Sequence, residues 1–168
     1  MSEHHPGQRP DDRPTGHRPD DRPTEPGPTG HQPGDSRGAT GERPSDLWRR
    51  QVSTQTAQIT AGQLTPDKAY AAELWPPDFI AAVDLALTAY EDDVREFSPT
   101  SSDHDIWTAV ERVVLALNEV DDYIETDERE QLAAYVHDVL VGAGVDVTAV
   151  AGRRGLHPAE LTDQWRDW

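Results

Sequence analysis

The sequence predicts an all-α fold, and three observations predict it. Apolar residues recur every three or four positions over long stretches between Ile80 and Leu140. Helix punctuation (Pro, Ser, Asp and Gly) stands at the ends of those stretches. No segment alternates apolar and polar residues over a strand's length. The expected architecture is a small antiparallel bundle of three long helices plus a C-terminal short helix pair, behind a long disordered N-terminal tail.

Residues 1–46 form the expected tail. They hold 9 of the 14 Pro and 7 of the 12 Gly, with almost no Val, Ile, Leu or Phe. Such a segment buries too little apolar surface to offset chain entropy. RPDDRPT occurs at Arg9–Thr15 and again at Arg18–Thr24, a short period that reads as low complexity. His4, His5, His17 and His31 lie here. Without a rigid frame to fix a coordination geometry they read as solvated side chains, not as a metal site.

Residues 47–75 are expected to form a partly ordered linker with short helices. Ser45 or Asp46 is a candidate cap before Leu47 and Trp48, and beyond Val52 the apolar pattern dissolves. Pro66–Trp75 reads as a short helix with Tyr70 and Leu74 on one face, stopped by Pro76–Pro77.

Residues 76–168 are expected to be an acidic helical domain. The first long helix spans Asp78–Phe97, capped by Asp78, with Ile80, Val83, Leu87, Tyr90, Val94 and Phe97 as its apolar stripe. The second runs from Asp103 to Ile124, opened by a Ser102/Asp105 capping box. Its stripe is Ile106, Val110, Val113, Leu117, Val120 and Ile124, broadened by Trp107 and Val114. The third runs from Asp127 to Val141, with Thr126 as N-cap, acids in the first turn and Gly142 and Gly144 at its end. Its buried face is Leu132, Tyr135, Val136, Val139 and Leu140. The final pair is Val147–Arg153, capped by Asp146, then a turn at Gly155 and a helix from Pro158 to Trp165.

Charge is the dominant chemical feature. The 168 residues carry 32 Asp+Glu against 15 Lys+Arg, a formal net charge of −17. The tail, with 6 Arg and 9 acidic residues, accounts for −3 of it, so the domain carries −14. A chain this acidic repels nucleic-acid phosphates and anionic lipid, so no direct nucleic-acid or membrane contact is expected. There is no Cys, hence no disulfide framework or thiolate metal site. No apolar run approaches the roughly 20 residues of a membrane span, and residues 1–46 contain no apolar signal-peptide core. The expected location is therefore cytoplasmic.

Catalytic signatures are missing. The sequence contains no phosphate-binding G-x-x-x-x-G-K-[ST], no G-x-G-x-x-G, no H-E-x-x-H and no G-x-S-x-G. No E-x-x-H pair of a carboxylate metal bundle occurs. Glu130 and His137, seven apart, share a helix face, as two ligands or an ion pair would, but they do not interrupt the apolar stripe. Neighbours in a helix point about 100° apart, so His137 and Asp138 are not expected to orient one another. The stretch 146–165 has the helix–turn–helix look of a DNA-binding motif. Its second helix, however, offers Glu160, Asp163 and Asp167 against Arg166 alone, the wrong chemistry for phosphates and base edges. No cofactor and no metal are expected.

The acids fall into two zones. Glu91, Asp92, Asp93 and Glu96 gather at the end of the first long helix. Glu119, Asp121, Asp122, Glu125, Asp127, Glu128 and Glu130 gather around the turn between the second and third. In an antiparallel bundle these zones lie at opposite ends. The second zone is the candidate partner-binding surface, and its plain alternative is an acidic surface that serves solubility.

The stretch ERVVLALNEV…YIETDEREQLAAYVHDVLVGAGVDV…ELTDQWRDW resembles small acidic helical proteins common in high-GC actinobacteria, of uncharacterised function and in part immunity-protein-like. The likeness covers residues 76–168, with Thr126–Glu130 and the closing Trp165–Trp168 as its points. It brings no catalytic set. It implies a non-enzymatic interaction domain, an immunity or antitoxin-like protein with a basic protein partner. Three alternatives stay open at this point: a metal- or cofactor-binding helical-bundle enzyme, a DNA mimic, and a tethered accessory protein.

Overall fold

The computed structural model describes residues 41–168 apart from Pro99, with the side chain of Asp121 also outside the description. The expectations for the tail through residue 40, its four histidines included, fall outside the described residues. Among the described residues the fold is all-α, with six α-helices and no strand. The helices are α1 (Pro44–Thr60), α2 (Ala71–Leu74), α3 (Pro77–Arg95), α4 (Asp103–Asn118), α5 (Thr126–Gly142) and α6 (Val147–Arg153), with 3₁₀ turns at Pro66–Lys68, Asp121–Tyr123 and Pro158–Glu160.

The largest departure from expectation is α1. Residues expected as tail end and partly ordered linker form a 17-residue helix, so the bundle has four long helices rather than three. Pro44 starts it at a position where a missing N–H costs nothing. Gly62 stops it with φ of 68°, where the amide of Gln63 reaches back to the carbonyl of Gln58. Only Pro44, Ser45 and Trp48 of this helix are buried. Its docking is therefore largely polar, with the Trp48 indole and the partly buried Val52 as apolar contacts. Arg43 grips Glu91 and Thr88, Ser45 Oγ donates to Asp84 at 2.5 Å, and Arg49 pairs with Asp84. The periodicity of apolar residues carries no trace of such docking.

Three of these contacts also set direction. Arg43, Ser45 and Trp48 meet Glu91, Asp84 and Phe79 in turn, so α1 runs antiparallel to α3. Arg43 hydrogen-bonds Glu91, which also receives Tyr135 of α5, while Trp48 reaches Gln131. Hence α1 is antiparallel to α5 as well. Tyr123, past the end of α4, packs on Phe79 at the start of α3, which makes α3 and α4 an antiparallel hairpin. The two acidic zones thus lie at opposite ends, as the sequence implied.

The predicted stripes form the core. Ile80, Val83, Leu87, Tyr90 and Val94 of α3 are buried, as are Ile106, Val110, Val113, Val114 and Leu117 of α4 and Leu132, Tyr135, Val136, Val139 and Leu140 of α5. Trp48 and Trp75 both join this core. Their rings stack at 6.1 Å with 9° between planes, and Phe79 stacks on Trp48 at 5.4 Å. Each indole N–H is satisfied on α5: Trp48 Nε1 donates to Gln131 Oε1 at 2.7 Å, and Trp75 Nε1 to Glu128 Oε1 at 2.9 Å.

Caps hold where their chemistry was legible. Ser102 and Asp105 form the expected reciprocal box, and Asp146 accepts from the amide of Ala149. Gly144, at φ 83°, ends α5 while the amide of Val145 returns to the carbonyl of Leu140. Other boundaries move. Pro76, not Asp78, is the N-cap of α3, because Pro77 already takes the first helical position. Glu125, not Thr126, precedes α5, with no side-chain cap. The second helix stops at Asn118, not Ile124. Pro66–Trp75 splits into a 3₁₀ turn and one α turn, leaving Tyr70 exposed. The last expected helix shrinks to a 3₁₀ turn, although Leu161 and Trp168 still anchor the chain end in the core.

If α1 is integral to the fold, Trp48→Ala destabilises the protein by about 3–5 kcal/mol in chemical denaturation. Trp48→Phe costs less, keeping the stack but leaving Gln131 without its donor.

Candidate functional site

The predicted partner-binding residues are held by two local devices. The 3₁₀ turn Asp121–Tyr123 carries the chain from α4 to α5, and acids stand in the first turn of α5, where the positive end of the helix dipole favours them, although no side chain caps it. Glu119, Asp122, Glu125, Asp127 and Glu130 are exposed. None of the five has an ion-pair or side-chain hydrogen-bond partner among the described residues. The side chain of Asp121 lies outside the description.

Glu128 departs from expectation. It is buried, 5% exposed, and accepts the Trp75 N–H. Helix geometry explains the difference. Glu128, Gln131, Leu132 and Tyr135 recur at three and four positions and share the inward face of α5. Glu128 is thus a packing residue and drops out of the candidate surface.

Sequence reasoning also missed Tyr123. Its ring lies 5.4 Å from Phe79, yet the residue remains 45% exposed. It stands between Asp122 and Glu125. A half-exposed aromatic is unusual amid carboxylates, and its signal in the sequence is only that it falls outside both apolar stripes.

The other acidic zone is compensated from within at three of its four acids; exposed Glu96 has no ion-pair or side-chain hydrogen-bond partner among the described residues. Glu91 accepts Arg43 Nε at 2.7 Å and Nη2 at 2.5 Å, a bidentate pair, and also the Tyr135 hydroxyl at 2.6 Å. The side chains of Arg43 and Glu91 are about three-quarters covered, so this pair is screened less than a surface one. Asp92 pairs with Arg95, and Asp93 with Arg112 at 2.5 Å. The hydrogen bond to Glu91 pushes Arg43 up, against its burial. Burial, reinforced by Glu91, pushes the Tyr135 phenol up to about 12, with Arg43 opposing. Burial likewise raises Tyr90, whose hydroxyl donates to the Val136 carbonyl at 2.8 Å.

Against expectation, His137 Nδ1 lies 3.0 Å from Asp138 Oδ1, the short carboxylate folding back along the helix. Both side chains are substantially exposed. His157 caps the last 3₁₀ turn, its Nδ1 accepting from Ala159 N and its own N–H donating to Glu160. Glu130 and His137 do line one cleft together, but no group of three or more metal-ligating side chains occurs among the described residues. Among the same residues no single helix is long and apolar enough to cross a membrane. The Arg153–Arg154 cluster is spent on internal contacts: Arg153 forks onto Asp103 at 2.5 and 2.6 Å, and Arg154 lies over the Trp107 ring at 4.1 Å.

Compared with known proteins, the chain matches no family model, no curated protein and no solved structure.

Two outcomes check this assignment. Glu128→Ala orphans the Trp75 N–H and destabilises by about 1–3 kcal/mol, whereas Glu128→Gln, which keeps an acceptor, costs less; denaturant titration separates them. Alkaline stability is the second. Tyr90 and Tyr135 are held protonated in the fold beyond the point at which unfolded tyrosine ionises, near pH 10. Their contribution is complete below about pH 10; that of Tyr135 is lost as pH rises toward about 12, and that of Tyr90 is likewise lost only on the alkaline side. Denaturation midpoints should fall through that window, and Tyr135→Phe should flatten the fall.

Proposed function

We propose that the chain is a cytoplasmic, non-enzymatic, acidic interaction module that binds a basic protein surface, in the manner of an immunity or antitoxin protein. One observation carries this reading: the two acidic zones differ in their compensation. At the α3 end, arginines of this chain neutralise Glu91, Asp92 and Asp93 and leave only Glu96 unpaired among the described residues. At the α4–α5 end, Glu119, Asp122, Glu125, Asp127 and Glu130 have no cationic partner among the described residues. Uncompensated like charges close in sequence repel one another, and a basic partner relieves that repulsion. Tyr123 supplies what acids alone lack, an aromatic anchor within a charged rim. Charges in such a rim act mainly on the rate of association, and the anchor on the rate of dissociation.

The test uses the partner captured by the full-length chain from source lysate at low salt, then measures both rate constants against variants. Asp122→Lys with Glu125→Lys should slow association by about tenfold or more and flatten its salt dependence. Tyr123→Ala should speed dissociation instead. Association that is indifferent to the charge reversal would sink the proposal. So would a captured partner that is itself acidic.

A further inference from the structure

Arg129 is anomalous in so acidic a molecule. It sits in the first turns of α5, half-buried, and its Nε is buried with no hydrogen-bond partner. Its guanidinium makes no ion pair with any described residue. The contrast is with Arg43, Arg49, Arg50, Arg95, Arg112, Arg153 and Arg166, each of which has found a carboxylate. The buried Nε is closed to a ligand, but the rest of the guanidinium has no carboxylate partner among the described residues, and it is this unpaired charge that an incoming oxyanion would meet.

The surroundings of Arg129 suit such a ligand. It lines a cleft of about 570 Å³ between α5 and the C-terminal turn, together with Ala133, Ala134, His137, His157, Pro158 and Arg166. That volume falls within the range of small-molecule sites. The walls formed by Ala133, Ala134, Pro158 and Ala159 are small and apolar. Because His157 Nδ1 accepts from Ala159 N, the proton of its neutral ring is assigned to Nε2, which stays available as a donor. Arg166 also lines the cleft but is engaged already, 2.8 Å from Asp163 and 5.2 Å over the Trp168 ring, which leaves the unpaired charge to Arg129. Glu130 also lines the cleft and disfavours a ligand with a second anionic group.

The geometry points to a binding site for a small organic oxyanion: one phosphate or carboxylate head on Arg129, with an apolar body against the alanine and proline walls. This site is separate from the acidic surface proposed above, and its ligand class is opposite in charge to that surface's partner.

The experiment is a titration of the full chain with phenyl phosphate, benzoate and phenol, followed by backbone amide NMR. The expected result is saturable binding of the two anions in the range of about 1 mM or tighter, with shifts at Ala133, Ala134 and Ala159. Phenol should bind at least about tenfold more weakly. Arg129→Gln should weaken anion binding about tenfold or more. Ala159→Trp fills the cleft from an exposed position without touching the core, and should abolish binding even if Arg129→Gln fails to fold. Asp122→Lys with Glu125→Lys should leave the site intact, which separates this inference from the acidic-surface reading. No saturation by either anion, equal binding of phenol, or binding unchanged in Ala159→Trp would each overturn it.

Discussion

Two indoles lie flat against each other in the middle of the molecule, and each hands its single polar proton to α5. Trp48 gives its N–H to Gln131 and Trp75 gives its N–H to Glu128, three residues apart on one helical face. Phe79 completes the stack. Buried indoles tolerate few alternatives, because an unsatisfied N–H is costly and a displaced ring leaves a large void. Four segments are fixed relative to one another by this arrangement: α1, the short α2 and its exit, the start of α3, and the first half of α5. Placing the start of α3 also places Phe79, and Phe79 in turn carries Tyr123 and the turn that displays the exposed acids.

Charge is distributed with the same economy. At one end of the bundle arginines hold α1 down through Glu91 and Asp84, and arginines pair Asp92 and Asp93. Such pairs are individually modest where exposed, and the better covered Arg43–Glu91–Tyr135 group is the one that matters for register. At the other end carboxylates stand without this help. An acidic surface kept only for solubility needs no such asymmetry, since dispersed charge serves solubility equally well.

The sequence was legible where structure depends on apolar spacing or on a cap. The stripes of α3, α4 and α5, the Ser102–Asp105 box, the Asp146 cap and the Gly144 stop all follow from local chemistry. It was silent where structure depends on distant partners. Helix α1 docks through one indole, the partly buried Val52 and several polar side chains, so its sequence shows no stripe. Glu128 reads as one more acid in a run of acids, and only the placement of Trp75 turns it inward. Arg129 looks like any surface cation until the cleft around it is seen. The segment after Pro158 keeps apolar anchors at Leu161 and Trp168 but needs only a 3₁₀ turn to place them.

The order of the chain gives the Trp48–Gln131 contact a temporal meaning. Its two ends are 83 residues apart, so α1, which meets α3 sooner through Glu91 and Asp84, is made long before its contact on α5 can form. Closing so long a loop is entropically expensive, and proteins rich in distant contacts fold slowly for that reason. A helix obliged to wait on the ribosome would be a liability if it carried a broad apolar face. Helix α1 carries almost none: its buried set is Pro44, Ser45 and Trp48. The polar character that hides this helix from sequence reading is also what lets it wait, unpaired, without recruiting the wrong neighbours.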